Sequence, residues 1–348
     1  MPLGLGSREL TQQTNRVYSP AGLITALFFA LNKFSETKYV DVVVTKGGRK
    51  LAPYVSPSIG GKVMRKEGGT VSVYEPPLLK PKFVTDANSI LDQQAIFFGD
   101  GMDASERAVE QLLKDEQDIK DSVYRTKEAQ AISLVTTGKF MAKGEGVEEE
   151  FDYGMDANNI EVLTGTSLWT DAASTPLTDL SKWRTEIFKA TGKAPNACVM
   201  GTDVAAAFMS HSKVIDAFDT RNITIGELRP APMLDEDGNE LGGVTYIGKI
   251  TQLGLDVYSY VDFFEDEADV VQDLYPVNKL VMGRTNAGGH FAHGAITDKK
   301  ELGTELFVGE IFVKSWQEND PDDEFILGKS RPLAIPSDID SFKCVTAV

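Results

Sequence analysis

The residues of this chain that could do chemistry fall into four groups, and each fails on spacing or on residue type. Gly243-Val244-Thr245-Tyr246-Ile247-Gly248-Lys249 has the GxxxxGK spacing of a phosphate-cradling loop, but Ile250 stands where a Ser or Thr must hold magnesium. Its interior is β-branched and aromatic, which predicts a strand rather than a loop of exposed amides. His290 and His293 sit three apart beside Gly288-Gly289, with His211 the only other histidine; two imidazoles without a third ligand do not make a metal centre. Cys198 and Cys344 lack CxxC spacing and a neighbouring histidine, so neither a disulfide framework nor an activated thiol is indicated, and a reducing compartment fits. Asp262, Glu265, Asp266, Glu267, Asp269 and Asp273 crowd one segment. Such a run reads as a solvated face, although an acid pair of a hydrolase has no spacing signature and stays as a remote alternative. The expectation is no catalytic residue, no cofactor and no metal. The glycine-rich stretch 283–294 lacks GxGxxG and predicts a loop where backbones approach closely.

The cationic residues say more. Residues 1–100 hold 12 Lys+Arg against 8 Asp+Glu, whereas residues 101–348 hold 23 against 44, so a basic segment precedes an acidic body within a net charge of −17. That body repels polyphosphate and argues against broad nucleic-acid binding, which needs a concentrated cationic face. A cationic arm on an anionic body suggests contact between copies of the chain. The candidate contact residues are Arg65, Lys66, Gly68, Gly69, Lys80 and Lys82, in strands punctuated by glycine and proline. Their plainer reading is a solubilising strand edge that blunts aggregation.

These residues need elements to position them. Residues 1–40 carry no periodicity beyond an apolar patch at 23–31, and predict an arm tied down by a partner. A β-branched run at 39–44 precedes paired glycines, and 63–65 with 70–74 flank Gly68-Gly69 in the manner of a hairpin. Asp103-Ala104-Ser105-Glu106 is a capping-box-like start, Gly138 a fitting stop, and no Pro or Gly lies between them. The spacing predicts one helix over 103–138, roughly 50 Å long at 1.5 Å per residue. Its stripe runs through Val109, Leu112, Leu113, Glu116, Ile119, Val123, Lys127, Gln130, Ala131 and Leu134, and the polar members weaken a coiled-coil reading. Two strands with an acidic turn are expected over 139–160, since 145–161 holds seven acids and no base. Helices follow from about Thr178 to Ala190, capped by Thr178-Asp179, and from about Asp203 to Ser210, with strands at 197–200, 244–247 and 255–261. Without a regular βαβ rhythm the class is α+β. The longest apolar stretch, 21–31, is about half a membrane crossing, and no secretory signal opens the chain.

In this order the residues resemble the lambda-type major capsid proteins of tailed phages, the capsid protein E family. The resemblance is carried by Tyr54-Val55-Ser56-Pro57, 65–69, Lys80-Pro81-Lys82, Glu128-Ala129-Gln130-Ala131, Gly138-Lys139 and Asp219-Thr220-Arg221. Further on it rests on Tyr258-Ser259-Tyr260, Pro276, 278–283 with Thr285, Trp316, Asp320-Pro321, Glu324-Phe325 and 336–340. It runs from about residue 15 to the end; the first 35 residues and the acidic stretch 148–152 depart from it. The resemblance implies the Hong Kong 97-type fold, divided as an N-terminal arm (1–40), an extended hairpin loop (41–95), a peripheral domain with the spine helix (96–195), an axial domain (196–325) and a return to the peripheral domain (326–348).

The function it implies is that of a structural subunit, not an enzyme. Copies would form pentamers and hexamers of an icosahedral head around double-stranded DNA, in the virion, after assembly in the host cytoplasm. Decoration, scaffold and portal proteins would be further partners, and no membrane would be involved. A bacterial nanocompartment shell, with the same fold around cargo enzymes, is the alternative.

Overall fold

The sequence that forbids a break between Asp103 and Gly138 produces a single helix, Ala104–Thr137, 34 residues long. Gly138 ends it with φ +72, a left-handed conformation that glycine adopts without strain. In this computed structural model, residues 22–45, 69–86, 104–218, 226–234, 240–265, 270–285, 287, 289–300, 303–318 and 323–348 are described. Among the described residues the other α-helices are an arm helix, Leu23–Phe28, and three body helices, Pro176–Thr191, Thr202–Ser210 and Ser212–Phe218. The strands of the first half are β1 (Leu31–Phe34), β2 (Val40–Thr45), β3 (Gly69–Tyr74), β4 (Lys82–Asp86), β5 (Lys139–Gly144), β6 (Val147–Asp152), β7 (Ile160–Val162) and β8 (Ala197–Met200). Then come β9 (Gly226–Leu234), β10 (Glu240–Ile250), β11 (Leu255–Tyr260), β12 (Phe263–Glu265), β13 (Val271–Asp273), β14 (Lys279–Gly283) and β15 (His290–His293). The last are β16 (Ile296–Lys300), β17 (Gly303–Phe307), β18 (Phe312–Gln317), β19 (Asp323–Lys329), β20 (Pro332–Ile335) and β21 (Lys343–Thr346).

Seven strands in the order β7-β21-β14-β8-β11-β10-β9 form the central sheet. Alternate side chains of β8 serve opposite faces, as a pleated strand requires. Cys198 and Met200 pack with Trp183, Val204 and Phe208 of the body helices. Ala197 and Val199 pack instead with Ala131, Leu134 and Val135 of the long helix and with Leu23, Ile24 and Phe28 of the arm. The sheet is thus covered on both faces, and the mixture of helices and strands is α+β.

The arm helix and β1 depart from the expectation of a segment held by a neighbour. Ile24, Phe28 and Phe29 are buried in the chain's own core, and β1 pairs in parallel with β15. The reason is aromatic mass: Phe28 meets Phe342 edge-on at 5.2 Å, and Phe29 lies on Phe291 and Phe342. The glycine-rich stretch makes room for it. A Cβ on Gly283 would stand 2.8 Å from the Phe28 and Phe342 rings, and one on Gly289 2.4 Å from the Phe28 carbonyl oxygen. Gly243 to Lys249 lies in β10, with Ile247 buried, which is strand geometry and not a phosphate loop.

Two smaller corrections concern the helices. The first body helix begins at Pro176, two residues before the expected cap, because proline suits the first helical position. Asp179 then accepts a hydrogen bond from Trp169 Nε1 at 3.2 Å instead of capping. Leu113, placed in the apolar stripe of the long helix, is 42% exposed, whereas Glu116, Lys127 and Gln130 of the same stripe are buried.

Candidate assembly interface

The β2–β3 pair stands on a braced base. β2 and β3 pair antiparallel from Val40 opposite Tyr74 to Thr45 opposite Gly69. Below them Glu75 binds Lys38 Nζ at 2.9 Å and the Arg331 guanidinium at 3.2 Å. The Lys38 hydrogen bond holds the Glu75 carboxyl below its usual range. Tyr74 packs on Phe151 and Tyr153, which fastens the stem to the β5–β6 hairpin.

Of the six expected contact residues, Arg65, Lys66 and Gly68 lie outside the described residues, as does the expected strand at 63–65. Gly69 opens β3, which pairs with β2, and Val40 and Val42 of that pair are buried. Lys80 and Lys82 are exposed but leave the stem altogether. β4 pairs with β19, Asp86 opposite Asp323 through Lys82 opposite Leu327, in a three-stranded sheet ordered β18-β19-β4. The region 41–95 is therefore not one hairpin. The cause is Leu79, which packs against the first half of the long helix and exchanges backbone hydrogen bonds with Ser330 at 2.8 and 3.1 Å. Lys82 Nζ stands 3.8 Å from the centroid of Phe325 and 5.3 Å from that of Trp316, themselves stacked at 5.3 Å.

Charge buried inside the subunit is what sequence reading missed. Glu128, fully buried in the long helix, accepts from the backbone N–H groups of Ile24 at 2.8 Å and Thr25 at 2.9 Å, so it grips the start of the arm helix. Burial pushes its carboxyl upward against those two bonds. Lys127, one residue earlier, pairs with Glu310 and lies 4.6 Å from the Phe291 ring centroid, its ammonium pulled down by burial. Asp298 receives Lys314 at 2.8 Å and Lys329 at 2.6 Å. Lys343 bridges Glu161 and Glu186. The signal that could have found Lys127 was its place in the helix's apolar stripe; Glu128 lies outside that stripe.

Among the described residues the geometry offers no activated nucleophile. Ser174 Oγ and His211 Nε2 are 3.0 Å apart and buried, which invites the reading of a serine–histidine pair. The hydrogen-bond network assigns the wrong tautomer for it. His211 Nδ1 accepts from Lys213 N at 3.2 Å, so Nε2 carries the proton and cannot take one from serine. Ser174 Oγ meanwhile donates to the Asp171 carbonyl at 2.8 Å, which closes the turn. His293 is buried against Asn32 and pushed down to about 3, mainly by burial and then by Lys127, so it stays neutral. Cys198 and Cys344 are buried, and burial pushes both thiols up, Cys344 to about 11. Asp262, Glu265 and Asp273 border the β12–β13 ribbon, with Glu265 and Asp273 exposed.

A long helix, a braced loop stem and a sheet covered on both faces fit a structural subunit, and similarity to known proteins decides the family. The family model described as phage major capsid protein E matches residues 6–347. This chain belongs to that family. The major capsid protein of Escherichia phage N15 is 29% identical over 331 residues, 93% of each chain. That of Escherichia phage lambda is 28% identical over 332 residues, again 93% of each. Among solved structures, the capsid protein assigned to a prophage of E. coli CFT073 superposes with a TM-score of 0.74 at 22% identity, covering 99% of both chains. The fold is the Hong Kong 97 type. The capsid family member is a structural protein of the virion and not an enzyme, and it assembles with its own copies into a shell. Phage relatives favour the virion over a nanocompartment. Among the described residues no helix is long and apolar enough to cross a membrane.

Proposed function

We propose that copies of this family member join head to tail into rings of five and six, which tile an icosahedral head around the double-stranded DNA of a tailed phage. The observation that carries the reading is the family match across residues 6–347. A heterologous contact of this kind closes into rings when its rotation allows. The division into arm (1–40), extended loop (41–95), peripheral domain (96–195), axial domain (196–325) and peripheral return (326–348) belongs to the same proposal. So does the assignment of Arg65, Lys66, Gly68, Gly69, Lys80 and Lys82 to contact with a neighbour, where complementary charge fixes register more than affinity. Decoration, scaffold and portal proteins are proposed as further partners. The acidic body, 44 acids against 23 bases over 101–348, suits a container that packs DNA without adhering to it.

Electron microscopy of the purified chain after size exclusion, at high concentration in low and high salt, tests this. Closed shells, or rings of five and six, are expected. A monomer under every condition, even with neighbouring genes co-expressed, overturns it.

A further inference from the structure

The three-stranded sheet β18-β19-β4 has two unlike faces. Ile326 and Val313 pack toward the long helix, where Gly328 faces Ile119. Strand alternation and register place Phe325, Trp316, Val84 and Lys82 on the opposite face. That face is an aromatic platform edged with ammonium groups. Phe325 and Trp316 are stacked, Lys82 lies over both, Lys314 stands 5.5 Å from the Trp316 centroid, and Val84 is 53% exposed. Asp298 offsets Lys314 and Lys329 together, one carboxylate for two ammonium groups, and no ion pair of Lys80 or Lys82 occurs among the described residues. Phe325 is buried under Lys82 and Trp316 is half-buried, while Lys80, Lys82 and Val84 stay exposed, so the accessible part of this face is cationic and apolar at once.

A complementary surface exists elsewhere on the same chain. The β5–β6 hairpin, 139–152, carries five acids against two lysines. Lys139 is taken up by Glu150 and Asp152. No ion pair of Glu145, Glu148 or Glu149 occurs among the described residues, and all three are exposed. Beside them Met141 and Val147 are 50% and 40% exposed, which gives the hairpin its own apolar contact. An acidic hairpin with exposed apolar side chains and a lysine-edged aromatic platform match in charge and in character.

We propose that the Trp316–Phe325 face receives the β5–β6 hairpin of a second copy, with Lys80 and Lys82 opposite Glu148 and Glu149. The contact rests on the shell reading above and names the acidic partner of two of its basic residues. Like charges placed opposite one another would cost several kcal/mol, so reversal on one side weakens association by more than about tenfold.

The test uses the full chain in three forms: Lys80→Glu with Lys82→Glu, Glu148→Lys with Glu149→Lys, and all four together. Each pair alone should lower the yield of shells more than about tenfold at a concentration where the wild type assembles, and the fourfold variant should restore it. Thermal unfolding of each variant, unchanged from wild type, excludes misfolding as the cause. Pairs that assemble like the wild type, or a folded fourfold variant that stays unassembled, overturn the contact. A second measurement reads geometry directly. Val84→Cys combined with Val147→Cys, oxidised with copper phenanthroline, should give covalent ladders of copies, since Cys198 and Cys344 are buried and do not compete. Only uncross-linked chain from assembled particles overturns it. Wild-type protein that never forms shells strikes the shell reading instead, and the cysteine pair still reports on the contact in whatever oligomer forms.

Discussion

Two layers of this subunit hold themselves together differently. Beneath the body helices, eighteen buried residues, among them Trp169, Trp183, Phe208 and Leu280, fill one face of the central sheet. Between the first half of the long helix and the β18-β19-β4 sheet, six are buried among the described residues: Leu112, Ile119, Val123, Ile311, Val313 and Ile326. The thin layer makes up the difference with charge, through Asp298 between two lysines and Lys82 over two rings. A layer that closes its own core has little need of a neighbour. One that leaves Phe83 and Val84 exposed at 40% and 53% is suited to being completed by one.

The comparison breaks most severely at Trp183. Its indole stacks on Trp169 at 6.0 Å and donates to Glu161 at 3.0 Å. Trp183→Ala should cost about 3 to 5 kcal/mol through the cavity it leaves. Urea unfolding followed by circular dichroism checks this, and a loss below about 1 kcal/mol would mean that the layer is not a close-packed core.

In the thin layer, Asp298→Ala leaves Lys314 and Lys329 facing each other without a counter-charge. The expected cost at neutral pH is about 3 kcal/mol. Burial alone would raise the Asp298 carboxyl, but the hydrogen bonds from both lysines outweigh it and lower it. Its contribution is therefore complete above the unfolded value of about 4 and is lost as pH falls through the lower folded value. The gap in urea stability between wild type and variant should accordingly shrink below pH 4. A gap that persists there would assign the effect to packing.

The smallest effect comes from His293, which lies between the long helix and β1. Its folded value of about 3 lies below the ordinary 6.5, so the unfolded chain binds the proton more readily. Stability is full above 6.5 and falls on acidification toward 3, by up to about 1.4 kcal/mol per pH unit from this group. His293→Phe should remove that part of the slope between pH 6.5 and 4.5. An unchanged slope would place the titration elsewhere.

Much of this was legible in the sequence, for local reasons. The long helix needed only a cap at its start, an unbroken interior and Gly138 at its end, and the structure runs from Ala104 to Thr137. The acidic hairpin needed only two strands and a polar turn. What escaped was set by partners distant in the chain. β4 lies beside 323–327, and no periodicity near Lys82 announces that choice. The arm helix is held by Glu128, more than a hundred residues away and outside the apolar stripe read from the spacing, so nothing local announced its partner. Of the interface itself, the basic character of the loop was legible from composition, whereas the removal of Lys80 and Lys82 to another sheet depended on Leu79 finding the long helix.

The position of β21 sets an order of events during synthesis. Residues 343–346 lie in the interior of the central sheet, between β7 and β14, and Ala347 adds hydrogen bonds to Asn278 and Trp169. A nascent chain that has not yet left the ribosome through these residues holds two strand edges unpaired that are joined in the finished sheet. Non-local pairing of this kind is slow, and exposed edges invite aggregation. The body of the subunit is therefore completed only once residues 343–346 have emerged, and a subunit interrupted before residue 343 is denied the sheet on which its shell-forming surfaces are mounted.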